Sequence, residues 1–363
     1  MQAAPPNILS RHRETDMNIA QTPELSLRQR HDALLAAEPG LRIRERAARL
    51  GVSEAELVAA DCGLTSVELG ASPRELFQAL GGLGRVMALT RNDWCVHERH
   101  GEYRGIDIGE APVGLVVGPD IDLRMFFHGW ASAYAVSENG RHSLQFFDQT
   151  GTAVHKVYQT GASDVAAWEA YVARFAIDAK RPLEIRPWPQ AREADAPADI
   201  EAFRAHWRGL KDTHDFYGML RQFGVSRLGA LQAAGPELAQ AVPADTVETM
   251  LTRAAASELP IMCFVANRGM VQIHTGPVHK LARTGAWFNV LDEHFNLHLD
   301  TTAIASCWVV NKPTSDGWVT SLEAFSASGE MIVQFFGARK PGKPELPAWR
   351  ALLESFCPRA LAA

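Results

Sequence analysis

The sequence of 363 residues lacks the features that identify several protein classes. It has five cysteines, an odd number without a C-x-x-C pair, which argues against a zinc ribbon, an iron–sulfur site or a disulfide framework. No apolar run approaches the roughly 18 residues that span a bilayer, and the N-terminal segment lacks the apolar stretch of a secretory signal. We therefore expect a cytoplasmic protein without stable membrane insertion.

Motifs of the common enzyme classes are also missing. The sequence contains no G-x-G-x-x-G after a strand pattern, no Walker A motif, no H-E-x-x-H and no G-x-S-x-G. Nucleotide binding and serine hydrolysis therefore lack support. The formal net charge of −6 argues against a nucleic-acid partner.

What the sequence does contain is an internal repeat. Two pairs of similar segments share one spacing, because positions 124 and 298, and positions 132 and 306, both differ by 174. A period this long indicates a duplicated domain and not a solenoid, whose repeats run to roughly 20–50 residues. The matching segments are Leu50–Ser53 with Phe223–Ser226, Ile121–Arg124 with Phe295–His298, and Ser132–Val136 with Ser306–Val310.

Each copy changes from a helical to a strand-like apolar period. This order predicts an α+β fold, in which each copy has N-terminal helices, a large antiparallel β-sheet and a closing helix. We expect the strands of the first copy to form an antiparallel meander. The predicted boundaries are a disordered tail at 1–26, a first repeat at 27–176, a linker rich in Pro, Ala and charge at 177–199, and a second repeat at 200–363.

Histidine supplies the sharpest candidate for chemistry. His214 follows Asp212-Thr213, which can cap a helix that starts near the histidine and carries Phe216. The first copy has Leu41 at the corresponding position. A neutral imidazole beside aromatic rings suits an iron porphyrin; a helix-start histidine that only hydrogen-bonds locally is the alternative.

Two other histidine pairs have metal-like spacing. They are His294 with His298, and His97 with His100, among thirteen histidines in the sequence. Their strand or turn context makes both pairs weak candidates for a metal site.

Longer segments resemble a known family. The run KDTHDFYGMLRQFGV, with DIDLRMFFHGW upstream and VNKPTSDGWVTSLEAFSASGEMIVQFFGARKPG downstream, is similar to the cytoplasmic hemin-degrading factors, or haem chaperones, of the HemS, ChuS, HmuS and PhuS group. The similarity runs from about Leu27 to Phe356. It implies a duplicated α+β fold, haem (iron protoporphyrin IX) as the bound cofactor, and a function in trafficking haem or degrading it oxidatively to release iron.

The resemblance also implies a set of site residues. His214 matches the proximal ligand of the haem iron, and Arg124, in D-L-R-x-F, matches a distal arginine and is the candidate catalytic residue. Arginine stays protonated, so it suits hydrogen bonding on the distal face better than ligation, and haem propionates favour Lys or Arg. The remaining matches around the haem are Phe126, Arg227, Lys312, Gln334, Phe336 and Arg339.

Two questions stay open at this point. The implied partners are an inner-membrane haem importer and a downstream haem oxygenase, but the chain could instead be a haem-oxygenase-like monooxygenase that uses an external electron donor. A non-haem scaffold or interaction protein built on the duplicated sheet is the second hypothesis. The repeat places His298 where the first copy has Arg124, which favours one haem per chain. Some relatives carry several neighbouring histidines around the ligand segment, whereas here His214 stands nearly alone, with Tyr217 where a further histidine could sit; this does not support transfer of haem between alternate ligands.

Overall fold

The computed structural model describes residues 25–178, 182–189, 193–340 and 342–363. Most of the predicted tail, 1–24, lies outside the described residues, as do 179–181 and 190–192 of the predicted linker. We call residues 25–178 the first half and residues 193–363 the second half. Within the described part of the chain, no helix has the length and apolar character that crossing a bilayer requires.

The first half begins with short capped helices and continues into strands. Ser26, Ser53, Ser72 and Asp164 accept a hydrogen bond from a backbone N–H in the first turn of the helix that follows each of them. Its helices are α1 Leu27–Ala37, α2 Ile43–Leu50, α3 Glu54–Ala60, α4 Pro73–Gln78 and α5 Val165–Phe175. Its strands are β1 Ser66–Glu68, β2 Val86–Arg91, β3 Cys95–Gly101, β4 Ile106–Asp107, β5 Val113–Val117, β6 Asp122–Phe126, β7 Trp130–Glu138, β8 Arg141–Asp148 and β9 Ala153–Tyr158.

The second half repeats this order. Its helices are α6 Ile200–Arg208, α7 Asp215–Phe223, α8 Arg227–Ala234, α9 Thr246–Ala256 and α10 Pro347–Glu354. Its strands are β10 Ala239–Val242, β11 Ile261–Ala266, β12 Met270–Gly276, β13 Leu281–Thr284, β14 Trp287–Leu291, β15 Phe295–Asp300, β16 Ser306–Thr314, β17 Gly317–Phe325 and β18 Met331–Gly337.

The repeated G-V-S motif ends one helix and starts the next in both halves. Gly51 and Gly224 adopt left-handed backbone with φ of 69° and 59°, which glycine tolerates best. Two residues later, Ser53 and Ser226 cap α3 and α8. The motif therefore marks equivalent positions in the two copies.

The two halves exchange strands. One sheet has the order β1-β7-β8-β9-β2-β3-β15-β14-β13, and the other has the order β10-β16-β17-β18-β11-β12-β6-β5-β4. Each sheet thus takes six strands from one half and three from the other. The α+β fold with large antiparallel sheets is confirmed. The predicted meander is wrong, because β4, β5 and β6 leave the sheet of their own half and pair with β12.

Apolar packing follows the exchange. Strands β13–β15 share one core with α9, α10 and the inner face of the second sheet. Strands β5 and β6 share another core with α4, α5 and the first sheet. Cys95, Cys263 and Cys307 are buried thiols in the first of these cores, as their apolar surroundings in the sequence predict. Each core nevertheless comes almost entirely from one half: among the buried residues of the described ranges, the first core includes Cys95 from the first half, and the second includes Met270 from the second half.

Two asparagines join the halves at equivalent turns. The Asn92 side-chain amide donates to the carbonyl oxygens of Ala266 at 3.2 Å and Ile332 at 2.8 Å. The Asn267 amide donates to the carbonyls of Arg91 at 3.0 Å and Val154 at 2.8 Å. The bonds are reciprocal between the halves and satisfy backbone carbonyls at the crossing of the two sheets.

We expect Asn92→Asp to lower the free energy of unfolding by about 3 kcal/mol, because an aspartate oxygen cannot donate to the two carbonyls and repels them. Urea unfolding followed by tryptophan fluorescence measures the change. Asn139→Asp is the matched control, since Asn139 is exposed in a hairpin turn. A value for Asn92→Asp within the error of that control would show that the crossing does not depend on this amide.

Candidate functional site

One face of the second sheet collects most of the predicted site residues. Directly paired residues on neighbouring strands share a face, as do residues two apart on one strand. Glu323 pairs with Gln334, which pairs with Phe264, and Arg124 pairs with Val271. Extended across the register, this places five predicted site residues on one face: Arg124, Phe126, Lys312, Gln334 and Phe336.

Helices cover only one end of this face. Side chains of α6, α7 and α8 pack on the strands β10, β16 and β17. Beyond them, β18, β11, β12 and β6 are consecutive strands, which at ~4.8 Å spacing give a floor about 15 Å wide. We call this part the open face; its apolar side chains are Met262, Phe264, Val271, Ile273 and Phe336. Most of these side chains are half-buried, so the face presents apolar surface to a ligand.

His214 stands at the start of α7, one of the helices that pack on the covered end of this face. It is the N-cap residue, and its side chain is 89% exposed. Phe216, two residues on, lies with its ring centroid 4.7 Å from Lys312 Nζ, which is 5.9 Å from the Phe336 centroid. A cleft of about 500 Å³ between α6 and α7 includes His214, Lys211 and other residues of the two helices. The sequence predicted Asp212-Thr213 as the cap and His214 in the first turn; in the structure α7 begins at Asp215 and His214 is itself the N-cap.

Asp212 fixes the orientation of the His214 ring. Its Oδ1 accepts from the His214 backbone N–H at 2.8 Å and lies 2.6 Å from Nδ1. The backbone N–H of His214 and then its side chain lower the pKa of Asp212 below the ordinary value. An ionised carboxylate can only accept, so in the neutral ring Nδ1 carries the proton and Nε2 is the nitrogen with a lone pair for a metal ion.

Arg124 lies on β6, on the far side of the open face from α7. Its guanidinium donates to Asp122 and, at 3.0 Å, to the carbonyl oxygen of Leu123. The side chain is 32% exposed, and Phe126 beside it is 37% exposed. The arginine comes from the first half, whereas the floor beside it comes from the second half, because β6 has crossed into the second sheet.

Arg227 and Lys312 share one buried carboxylate. Glu323, fully buried, accepts two bonds of 2.7 Å from Arg227 and one of 3.0 Å from Lys312 Nζ. Gln334 Nε2 donates to the same carboxylate at 2.7 Å. Lys312 is 2% exposed, so this network stabilises the wall beneath Phe216 and does not present free cations to solvent.

The pKa values follow from burial and this pairing. Burial by itself raises the pKa of Glu323, but Arg227 and Lys312 together outweigh it and hold the pKa well below the ordinary range. Burial lowers the pKa of Lys312 to about 8 despite Glu323. At neutral pH Glu323 and Lys312 are therefore both charged.

We expect Glu323→Gln to lower the free energy of unfolding by about 3 kcal/mol, because it leaves the buried Lys312 and the half-buried Arg227 without a carboxylate. Chemical denaturation at pH 7.5 measures it. Glu330→Gln is the control, since Glu330 is exposed on the next turn and accepts a hydrogen bond from Ser328. Equal stability of the two variants would contradict a stabilising role for the network.

Arg339 connects the end of β18 to the β16–β17 hairpin. Its guanidinium lies 3.4 Å from Asp316 Oδ2 in the hairpin turn. The neighbouring Ser315 backbone N–H donates to the Lys211 carbonyl at 2.9 Å, close to His214 in the chain. Arg339 thus braces the segment that precedes α7.

The corresponding face of the first sheet is polar. In the first half, strands β2 and β3 pair Arg91 with Val96 and Leu89 with Glu98. At the equivalent positions of the second half, β11 and β12 pair Ala266 with Val271 and Phe264 with Ile273. On β15, His298 pairs with Val96 as Arg124 pairs with Val271, so the proposed correspondence of His298 and Arg124 agrees with the topology. Charged groups replace the apolar floor, and only one of the two faces suits a large apolar ligand.

Neither metal-like histidine pair forms a cluster. In the described ranges, no group of three or more His, Cys, Asp or Glu side chains could hold a metal ion. His97 is fully buried, whereas His294 is exposed.

The sequence analysis did not assign two carboxylates, those of Asp212 and Glu323, to the site. A signal was present for Asp212, which lies two residues before the histidine; Glu323 gave none, because its partners Lys312 and Arg227 lie 11 and 96 residues away in the chain.

Comparison with known proteins decides the family. The haemin-degrading HemS.ChuX domain matches residues 51–175 and again residues 224–356. The chain belongs to the haemin-degrading HemS/ChuX family. The two matches coincide with the two halves, and the resemblance noted in the sequence is confirmed.

Full-length relatives and structures extend this family assignment. The hemin transport protein HmuS of Yersinia pestis is 38% identical over 343 residues, 93% of this chain and 99% of that protein. The crystal structure of holo-PhuS, a heme-binding protein from Pseudomonas aeruginosa, has a TM-score of 0.88 at 48% identity and covers 92% of this chain and 98% of its own. The heme-degrading enzyme ChuS of Escherichia coli O157:H7 has a TM-score of 0.87 at 35% identity, covering 91% and 98%. These matches span both halves, so the similarity includes the exchanged sheets.

Proposed function

We propose that this protein binds haem on the open face of the second sheet and traffics it within a haem-uptake system. The observation that carries the proposal is an exposed imidazole, held through Nδ1 by Asp212, on a helix that packs at one end of a sheet face whose other end has an apolar floor and an arginine. The family assignment and the haem-binding relatives support it.

The residues at the site fit an iron porphyrin. His214 Nε2 would ligate the iron, with Asp212 holding the ring in the required tautomer. Phe264 and Phe336, with ring centroids 5.2 Å apart in an edge-to-face pair, would contact the macrocycle. When bound, haem supplies a redox-active iron, and every other contribution comes from the chain.

Arg124 would act on the opposite side of the ring. A guanidinium stays charged and donates in a fixed fork, so it would hydrogen-bond to a distal ligand without competing for the iron. Its bond to Asp122 orients the fork. Of the cations matched to the haem surroundings, Arg339 is partly exposed, with 17% of its side chain accessible, and would reach a propionate more easily than Lys312.

Exposure of His214 favours a carrier. A ligand that is 89% exposed can be reached by a donor or acceptor protein without local unfolding. The partners proposed are an inner-membrane importer that supplies haem and a downstream haem oxygenase that consumes it, in the cytoplasm. Oxidative degradation by the chain itself is the second candidate function, because ChuS of Escherichia coli, at 35% identity, is described as a heme oxygenase.

Hemin titration tests the proposal. We expect a shifted Soret band that saturates at one haem per chain, whereas a non-haem scaffold would leave the spectrum of free hemin unchanged. Anaerobic loading followed by oxygen, a reductant and catalase then separates the two candidate functions. A bilin and released iron, lost in Arg124→Ala, would establish an enzyme; intact haem that passes to an acceptor protein would establish a carrier.

A further inference from the structure

A second cleft, of about 410 Å³, lies at the junction of the two halves. The turns of β2–β3 and β11–β12, which carry the reciprocal Asn92 and Asn267, form part of its wall. The side chain of Trp188, from the segment between the halves, also lines it. The cleft is thus built from three parts of the chain and is separate from the open face.

Three arginines line this cleft, and two of them contact an identified side chain. Arg44 is bound to Asp93. Arg268 is exposed and lies 5.5 Å above the Trp188 ring centroid. Arg91 is half-buried, and its Nε donates to the Asn92 carbonyl at 3.0 Å.

Arg91 lacks a carboxylate partner. Across the four described ranges, no Asp or Glu oxygen comes within ion-pair distance of its guanidinium, and its terminal nitrogens make no hydrogen bond there. The nearest compensating charges are committed, because Glu54 is bound to Lys156 at 2.7 Å and Asp93 to Arg44. Burial, and then the neighbouring Arg44, lower the pKa of Arg91. A half-buried cation beside another cation is unfavourable unless an anion joins it.

The acidic side chains of the cleft do not neutralise Arg91. Asp148 is buried and accepts from Thr150 and Thr152 and from Trp188 Nε1 at 3.1 Å. Glu330 is exposed at the rim and accepts from Ser328. The lining thus balances three arginines with three acidic residues, Asp93, Asp148 and Glu330, and the feature that points to an anion is the guanidinium of Arg91, whose terminal nitrogens have no hydrogen-bond partner in the described ranges.

The duplication shows that the fold does not require this arginine. Ala266 occupies the equivalent position, since Arg91 pairs with Val96 on β3 as Ala266 pairs with Val271 on β12. Both positions end their strand and precede an asparagine that bonds across the halves. A cation kept in one copy, in a cleft and without a partner, indicates a ligand.

We propose that this cleft binds a small, multiply charged oxyanion, a polycarboxylate or an organic phosphate, with Arg91 as the principal contact and Arg268 at the rim. A guanidinium fork matches two oxygens of either group. The volume exceeds that of a simple inorganic ion and is at the lower end of the range for organic ligands.

Calorimetric titration with citrate and with pyrophosphate, at constant ionic strength, tests the proposal on the full chain. We expect saturable binding of at least one, at one site per chain, and at least a tenfold loss of affinity in Arg91→Ala. Arg91→Lys, which keeps the charge but loses the fork, should lie between. Arg104→Ala is the matched control, because Arg104 is exposed and pairs with Glu102.

The outcomes divide cleanly. Binding of citrate alone identifies a carboxylate ligand, and binding of pyrophosphate alone identifies a phosphate ligand. No saturation by either at millimolar concentration overturns the proposal, as does equal affinity in wild type and Arg91→Ala. Because Ala266 occupies the equivalent position in the other copy, we expect Arg91→Ala to fold, and an unchanged circular dichroism spectrum checks this. If the Arg91→Ala variant does not fold, an affinity of Arg91→Lys equal to that of the wild type overturns the proposal.

Discussion

His214→Ala is expected to weaken hemin binding on the order of 100-fold and to shift the Soret band. Loss of a partner one step removed from a metal typically costs 10–100-fold in affinity, and loss of the ligand itself should cost at least as much. The apolar floor of the open face stays in place, so residual binding without the normal coordination is expected. Spectroscopic titration and resonance Raman measurement of the axial ligand would record both changes.

The control for this substitution lies in the same cleft. His206 on α6 is exposed and lines the cleft with His214, but its ring packs against Phe223 with centroids 5.6 Å apart. His206→Ala should bind hemin as the wild type does. If the two variants behave alike, or if His214→Ala keeps the wild-type spectrum, the ligand assignment is wrong.

Substitution of Asp212 tests whether His214 ligates the haem iron or only hydrogen-bonds locally. Asp212→Asn keeps a side-chain oxygen for the His214 backbone N–H but removes the charge beside Nδ1. If His214 ligates iron, this change should alter the basicity of the ring and the iron–histidine vibration as well as the affinity. A histidine that only hydrogen-bonds locally would leave the haem spectrum unaffected.

Local patterns in the sequence predicted local structure well. The G-V-S motifs specify a left-handed helix end and a serine cap, and both depend on the backbone preferences of two or three residues. The change of apolar period separates helices from strands because it, too, is a local property of the chain. The duplication follows from comparing the chain with itself, and the family domain matches it twice.

Strand exchange was beyond such patterns. Alternation along β6 tells which residues share a face, but it does not tell whether the neighbour is β3 or β12. Those two strands are equivalent copies, so both present a compatible partner. The choice depends on packing of β13–β15 and of β5 and β6 onto the opposite sheets, a property of the whole chain. Without the exchange, Arg124 would lie on the sheet of the first half and not beside the open face.

The cations matched to the haem surroundings show the same limit. Lys312 and Arg227 looked like surface charges suited to propionates, but both are bound to the buried Glu323, Lys312 in the interior and Arg227 half-buried with 21% of its side chain exposed. Their pairing depends on contacts 11 and 96 residues apart in the chain, which no local spacing reveals. The family resemblance located these residues, and the structure adds the carboxylate that binds them.

Acidification is expected to destabilise the fold strongly between pH 6.5 and pH 5. Three buried histidines are neutral in the folded chain: burial lowers the pKa of His155 and of His274 to about 3, and that of His97 falls well below its ordinary value. An unfolded histidine has a pKa near ~6.5, so below that pH the unfolded state binds more protons and stability falls with falling pH. Each histidine contributes ~1.4 kcal/mol per pH unit, about 6 kcal/mol for the three at pH 5.

The environments of these histidines explain why they resist protonation. His155 is bonded on both sides, with Nε2 2.6 Å from the Tyr103 hydroxyl and Nδ1 2.9 Å from Thr90 Oγ1, which suits a neutral ring with one donor and one acceptor. His274 stacks on Phe295 with centroids 3.8 Å apart. Within the described part of the chain, neither ring nitrogen of His274 or His97 has a hydrogen-bond partner. A proton on any of the three would place an uncompensated charge in the interior.

His274→Leu distinguishes this explanation from general acid sensitivity. It removes one titrating ring from an apolar setting, so the loss of stability between pH 7.5 and pH 5 should shrink by about 2 kcal/mol. His142→Leu, at an exposed position on β8, should leave the pH dependence as in the wild type. Urea unfolding at several pH values measures both.

The low pKa of Glu323 in the folded state affects stability at a lower pH than the histidines do. Stability from this carboxylate is lost only below the unfolded pKa of a glutamate, near ~4.5, so it does not contribute between pH 6.5 and pH 5. Because His97 and His274 lie on β3 and β12, the strands that receive the exchanged segments, both halves should unfold in one transition. A flat stability profile down to pH 5 would contradict this account of the buried histidines.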